Sequence, residues 1–183
     1  MGQKINSHIV EETREELGFL YERLLANLDR ELSVQGSILQ ILGEEKMALT
    51  KASNEAIWES NARKEAALLR AKEVAAERHG IMESFCSIPQ GRGQKLTLPR
   101  LVELAPDATT AAALRARQQA LTTLADTNRT YNRRNAELVQ AALKDVQGSL
   151  HLIRSLVSPG ANYQKTGHFS PNTIQGSLIH REG

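Results

Sequence analysis

The sequence holds few of the residues that staple, punctuate or anchor a compact mixed fold. A single cysteine, Cys86, excludes an internal disulfide framework and supplies no zinc-ligand spacing. One Trp, three Tyr and three Phe among 183 residues are too few for a fold built on aromatic-rich strands. The five prolines lie at 89, 99, 106, 159 and 171, so 1–88 and 107–158 run without the residue that interrupts helices. No apolar run reaches the roughly 18 residues of a membrane span, and "MGQKINSHIVEETREE" lacks the apolar core of a signal peptide. Gly2 followed by Ser7 misses the myristoylation spacing by one place. These absences predict a cytoplasmic protein with no membrane insertion.

What is present favours helix. Ala, Leu, Glu, Arg and Gln are abundant and charged residues make up 24%, the composition of long helices. Net charge is +2, but residues 1–60 carry 11 acids against 6 bases and 61–157 carry 15 bases against 9 acids. Opposed charge on neighbouring segments steers their pairing. No concentrated basic stripe of the kind that tracks nucleic acid occurs.

Apolar spacing places the elements. Val10, Leu17, Tyr21, Leu24 and Leu28 recur at 7, 4, 3 and 4 and predict a helix over about 7–34. Gly36 and Ser37 have the residue types of its end and of the cap of the next helix, while the apolar pattern nearly continues through them, which leaves a turn or a continuous helix there. Ile38, Leu42, Leu49, Ala52 and Ala56, then Leu68, Ala71, Ala75, Met82 and Phe85, predict a second helix over about 37–86, roughly 75 Å long at 1.5 Å per residue. The stretch "SIPQGRGQKLTLPRLVELAP" predicts a loop with one short helix at 99–105, proline in its first turn. Leu114, Leu121, Leu124, Asn128, Tyr131, Asn135, Leu138 and Ala142 follow at 7, 3, 4, 3, 4, 3 and 4, and Val146, Leu150, Ile153 and Val157 extend a helix over 107–157. Ser158, Pro159 and Gly160 end it, leaving a polar tail, 158–183. The expected fold is all-α: an elongated antiparallel bundle or coiled coil of three long helices and one short one, 7–157, with a flexible C-terminal tail.

Chemistry is hard to find. Helical-bundle metalloenzymes project Glu-x-x-His pairs inward, and none occurs. The histidines, at 8, 79, 151, 168 and 180, are scattered and read as surface residues. "GRG" at 91–93 follows no strand and is not a phosphate loop. Cys86 has no activating neighbour and reads as an inert buried thiol. No cofactor, metal or catalytic residue is expected. Interaction features remain: Asn128 and Asn135 fall on the apolar stripe, where a buried amide sets register, and the tail carries the aromatics Tyr163 and Phe169, anchors for docking on a partner.

"LGEEKMAL", "NRRNAELVQAALKDVQGSLHLI" and "YQKTG", in that order after a Leu-rich first helix, resemble the FlgN-type flagellar export chaperones over about residues 8–167. Glu45 and Lys46 match that family's Glu-Lys motif; Asn132, Asn135 and Leu138 match its Asn-x-x-Asn-x-x-Leu motif; Tyr163 and Gly167 match its tyrosine and nearby glycine. The resemblance implies a cytoplasmic chaperone that binds hook-filament junction subunits by their C-terminal helical regions and delivers them to the flagellar type III export gate and its ATPase complex. The implied cargo surface is Asn132, Asn135, Leu138, Val139, Ala142, Leu143, Val146, Leu150, Ile153 and Leu156, with Tyr163 and Gly167 docking on the gate. The competing expectation is a scaffolding coiled coil, possibly a homodimer, in which the same apolar residues are simply core.

Overall fold

The computed structural model of the chain describes residues 2–87 and 96–157, with side chains from residue 15 onward. Among these residues all regular structure is helical: α1, Gly2–Thr50; α2, Asn54–Ser87; α3, Leu98–Glu103; and α4, Ala108–Val157. The chain divides into two compact units, Met1–Val139 and Gln140–Gly183. The expected tail, with Tyr163, Gly167 and Phe169, lies outside the described residues, as does the 91–93 loop.

One boundary differs from the sequence reading. The first two helices do not meet at Gly36: α1 runs straight through it to Thr50, and the expected helix over 37–86 is split at 51–53. Glycine ends a helix when it adopts a left-handed conformation, not merely by being there. The flanking stripe, Leu28 to Ile38 to Leu42, stays buried across Gly36, and packing of that face outweighs the roughly 1 kcal/mol glycine costs. Ser37 caps nothing; its Oγ donates back to the Ser33 carbonyl at 3.0 Å.

The true break is built from residues with no obvious stop signal. Ala52 is left-handed at φ 51°, and the amides of Ala52 and Ser53 reach back to the carbonyls of Leu49 (3.2 Å) and Ala48 (3.1 Å). This is the paired 5→2 and 6→1 pattern that closes a helix C-terminus. Ser53 then starts α2: its carbonyl accepts from Ile57 N–H at 3.0 Å, and its Oγ from Ala56 N–H at 3.5 Å. An alanine held at positive φ carries a steric cost that glycine does not. Ala52→Gly is therefore expected to stabilise the protein by about 0.5–1 kcal/mol, read as a shifted urea midpoint with unchanged slope.

Ion pairs and hydrogen bonds give the helices their directions. Asn27 and Arg30 reach Glu77, Arg78 pairs with Glu31, Arg63 with Glu44 and Lys64 with Glu45, so α2 runs antiparallel to α1. Asn128 bonds Gln35 and Asn135 bonds Leu42, each 93 positions away, so this part of α4 runs parallel to α1. Arg117 clamps Asp29 with two N–H donors at 2.8 Å. Most of these bridges join an acid of α1 to a base further along, as the divided charge anticipates. The Asp107 carboxylate caps α4, accepting from Thr110 N–H at 2.7 Å, and these bonds from Thr110 hold it below the usual aspartate range.

Two apolar clusters fill the bundle. One joins Leu20, Tyr21, Leu24 and Leu28 to Ile81, Phe85, Leu101, Val102 and Leu114. The other joins Ile38, Ile41, Leu42 and Ala67. The proline-flanked α3, which the sequence places at 99–105, is a plug for the first cluster: Leu101 and Val102 are buried. Tyr21 fixes it there. Its ring meets Phe85 edge to face, centroids 5.0 Å apart, and its hydroxyl donates to the Leu101 carbonyl at 2.9 Å, near the C-terminal end of a six-residue helix where carbonyls lack helical partners. Leu68, which the sequence stripe places inside, is exposed, because α2 buries Ser60, Ala67, Ile81 and Phe85 instead. Cys86 is exposed too, one residue beyond the inward-facing Phe85.

Burial raises the Tyr21 hydroxyl from 10.0 to about 12. The folded protein thus keeps a proton that the unfolded chain loses first, so this contribution is complete below about pH 10 and is lost as pH climbs toward 12. Two units correspond to about 3 kcal/mol at most. Urea unfolding followed from roughly pH 9 to pH 12 is expected to show this loss in the parent and little of it in Tyr21→Phe, a window that spans the tyrosine titration range of roughly 10 to 12.

Candidate functional site

The two helical motifs that the sequence holds apart meet in space. Asn135, from the spaced asparagines of α4, donates its Nδ2 to Glu45 Oε2 at 2.9 Å and to the Leu42 carbonyl at 2.8 Å. Glu45 takes Lys64 Nζ on its other oxygen at 2.5 Å. One heptad earlier, Asn128 Nδ2 donates to the Gln35 carbonyl at 3.0 Å and to its side-chain Oε1 at 2.8 Å. A third amide, Asn27, donates to the Val74 carbonyl at 3.1 Å. All three asparagines and Glu45 are buried.

These contacts decide what the asparagines do. An amide that bonds one particular backbone carbonyl fixes the axial position of its helix, since sliding by a turn would strand the donor in an apolar seam. The Oδ1 atoms of Asn27, Asn128 and Asn135 have no hydrogen-bond partner among the described residues, so each amide specifies register through its donor with its acceptor left unmatched. Asn135, which the resemblance places on the cargo surface, is 3% exposed, and its polar group is engaged inside the bundle. Its neighbour Asn132 is exposed, as is Lys46 of the Glu-Lys motif.

Beyond Asn135 the character of α4 changes. Every residue over 136–157 is exposed, although many are apolar. Val139, Leu143, Val146, Leu150, Ile153 and Val157 lie at spacings of 4, 3, 4, 3 and 4, which puts them on one line along the helix. Leu138, Ala142 and Leu156 flank that line on one side. Val146 is 55% exposed and Leu156 75%. The other face carries Gln140, Lys144, Gln147, His151 and Ser155. Nine of the ten expected cargo residues are thus exposed on α4, and Asn135 alone is inside. Leu152 and Val157 are exposed apolar residues of the same segment that the expected site omits; the signal for Leu152 is its 4-residue spacing from Leu156.

The stripe presents an exposed apolar surface along one side of the helix. Monomeric soluble proteins seldom leave so long an apolar line in water, and a two-sided amphipathic helix is the complement of another amphipathic helix. Among the described residues no group of His, Cys, Asp and Glu is placed to hold a metal. No helix among them is long and apolar enough to cross a membrane. His79 and His151 are exposed. One depression over the bundle is lined by the polar side chains of Arg115, Gln118, Gln119, Thr122 and Thr123.

The model of the FlgN protein family matches residues 20–170, which takes in α1 from Leu20 onward, the whole of α2, α3 and α4, and the segment bearing Tyr163 and Gly167. Neither a curated protein nor a solved structure matches the chain. With the family model spanning most of its length, the chain belongs to the FlgN family, the flagellar type III export chaperones.

Proposed function

We propose that this chaperone binds the C-terminal helical region of a hook-filament junction subunit on the exposed stripe of α4, keeps it from assembling prematurely in the cytoplasm, and delivers it to the export gate. The observation that carries the reading is the exposure of 136–157 along a regular apolar line. A cargo helix laid along Val139, Leu143, Val146, Leu150, Ile153 and Val157 removes half-exposed aliphatic side chains from water. At about 1 kcal/mol each this is roughly 6 kcal/mol gross, to which contacts of the flanking Leu138, Ala142 and Leu156 add. Ordering two helices consumes part of that, leaving the moderate affinity suited to a cargo that must be released.

Support for the cargo class and for the gate comes from family membership, together with the match of Tyr163 and Gly167 to the family's tail motif. Asn132 sits on the same line as Val139, one heptad before it, where an exposed amide suits the polar edge of a docked helix. The test is reconstitution with a purified junction subunit. The full chain is expected to form a one-to-one complex and a chain lacking 138–157 to form none; a stable complex after that deletion sinks the assignment. Tyr163→Ala is expected to leave cargo affinity unchanged and reduce export of the subunit from cells severalfold. Equal loss of both would put the tyrosine in the cargo site.

A further inference from the structure

A second unpartnered face lies on α2. Trp58, Ala62, Glu65, Leu69, Lys72 and Ala76 lie at spacings of 4, 3, 4, 3 and 4, turned away from the buried Ser60, Ala67, Ile81 and Phe85. All six are exposed. Trp58, the chain's one tryptophan, is 75% exposed and Leu69 59%. Tryptophan is among the residues most buried on average, and neither core cluster includes it. The fold gives Trp58 no task.

Charge around this line has one dominant sign. Glu55, Glu65 and Glu73 lie on or beside it against a single base, Lys72; Glu59 and Arg70, further round the helix, offset each other. The bases that might balance the acids are engaged elsewhere, Arg63 with Glu44 and Lys64 with Glu45 of α1, whereas Glu55, Glu65 and Glu73 form no ion pair among the described residues. An acidic, tryptophan-anchored line thus stands on a protein whose net charge is +2. Ala62, Ala66 and Ala76 leave room for close approach of a second backbone, and the alternating spacing is that of a helix seam.

We propose that the outer face of α2 over 55–76 is a second docking surface, distinct from the α4 stripe, that takes a basic amphipathic helix of another protein, with Trp58 and Leu69 as apolar anchors and Glu55, Glu65 and Glu73 selecting the sign of its flanks. Anchors of this kind supply most of the energy of an interface, while the acids set which helix is chosen and how fast it arrives.

The single tryptophan makes the test direct. The full-length protein is titrated with two helical peptides free of Trp and Tyr: one with Leu and Ala on one face and Lys and Arg beside it, the other identical but with Glu for each base. The expected result is a saturable blue shift of Trp58 emission with the basic peptide, at roughly tenfold lower concentration than the acidic one, the preference shrinking with added salt. Leu69→Asp is expected to weaken the response roughly tenfold, and combined Glu55→Lys, Glu65→Lys and Glu73→Lys to reverse the preference. Val146→Asp with Ile153→Asp is expected to leave it intact, which separates this surface from the cargo stripe. Unchanged emission, equal response to both peptides, loss of the response in the α4 variant, or a blue shift that grows with the protein's own concentration without peptide would each overturn the proposal, the last by making a second copy the occupant.

Discussion

Val146→Asp combined with Ile153→Asp is expected to weaken the complex with a junction subunit by roughly 100-fold or more, since each change puts a charge where a docked helix needs an apolar contact. Both side chains are more than half exposed in the free chain. Their replacement therefore leaves the stability of the free protein within about 0.5 kcal/mol of the parent, apart from a few tenths for a negative charge near the C-terminal end of α4. The pairing of a large binding loss with an unchanged melting curve is the signature of a docking surface. Lys144→Asp, on the polar face of the same segment, is the control and is expected to bind normally. Calorimetric titration with the purified subunit measures all three. If the aspartates instead unfold the protein, the stripe is core, as the scaffolding alternative holds.

Glu45→Ala is expected to have the largest effect on stability, about 3 kcal/mol. It leaves the Lys64 ammonium without its counter-charge in a largely buried site and removes an acceptor from Asn135. Glu45→Gln, which keeps an acceptor for the amide but not the charge, should cost less. Asn135→Ala is expected to cost about 1–3 kcal/mol, since it strips a buried donor from the Leu42 carbonyl. Because the two residues share one bond, the double variant should fall short of the sum by about 1 kcal/mol or more. Urea unfolding of the four proteins measures that coupling. Affinity of Asn135→Ala for the subunit should stay within about threefold of the parent, since its amide faces inward; a loss as large as that of the aspartate variant would return Asn135 to the cargo surface.

Much of this was legible in the sequence because helical periodicity depends only on which residues are apolar. The seam of α4, with asparagines at 128 and 135, came from spacing alone, and the start of that helix falls within a residue of the expected place. The α1 to α2 turn did not, for a physical reason. Gly36 and Ser37 have the residue types of a helix end, but the stripe around them is continuous and its burial decides the matter. At 51–53 an alanine adopts the conformation that glycine favours, and only the serine after it carries a local signal. Partnering was likewise beyond periodicity. Asn135 and Leu138 are one turn apart on the same stripe, yet one is sealed against Leu42 and Glu45 and the other stands in water, because exposure depends on what lies opposite. For the same reason Trp58 and Leu69 gave no warning of the acidic outer face they share on α2.

The most direct measure of the central claim is amide hydrogen exchange of the full chain, alone and saturated with a junction subunit. Exposed backbone in a helix that lacks tertiary packing exchanges readily, so 139–157 is expected to exchange faster than the buried stretches of α1 when free, and to become the most strongly protected segment on binding. Protection that appears elsewhere while 139–157 continues to exchange as in the free chain would contradict the account.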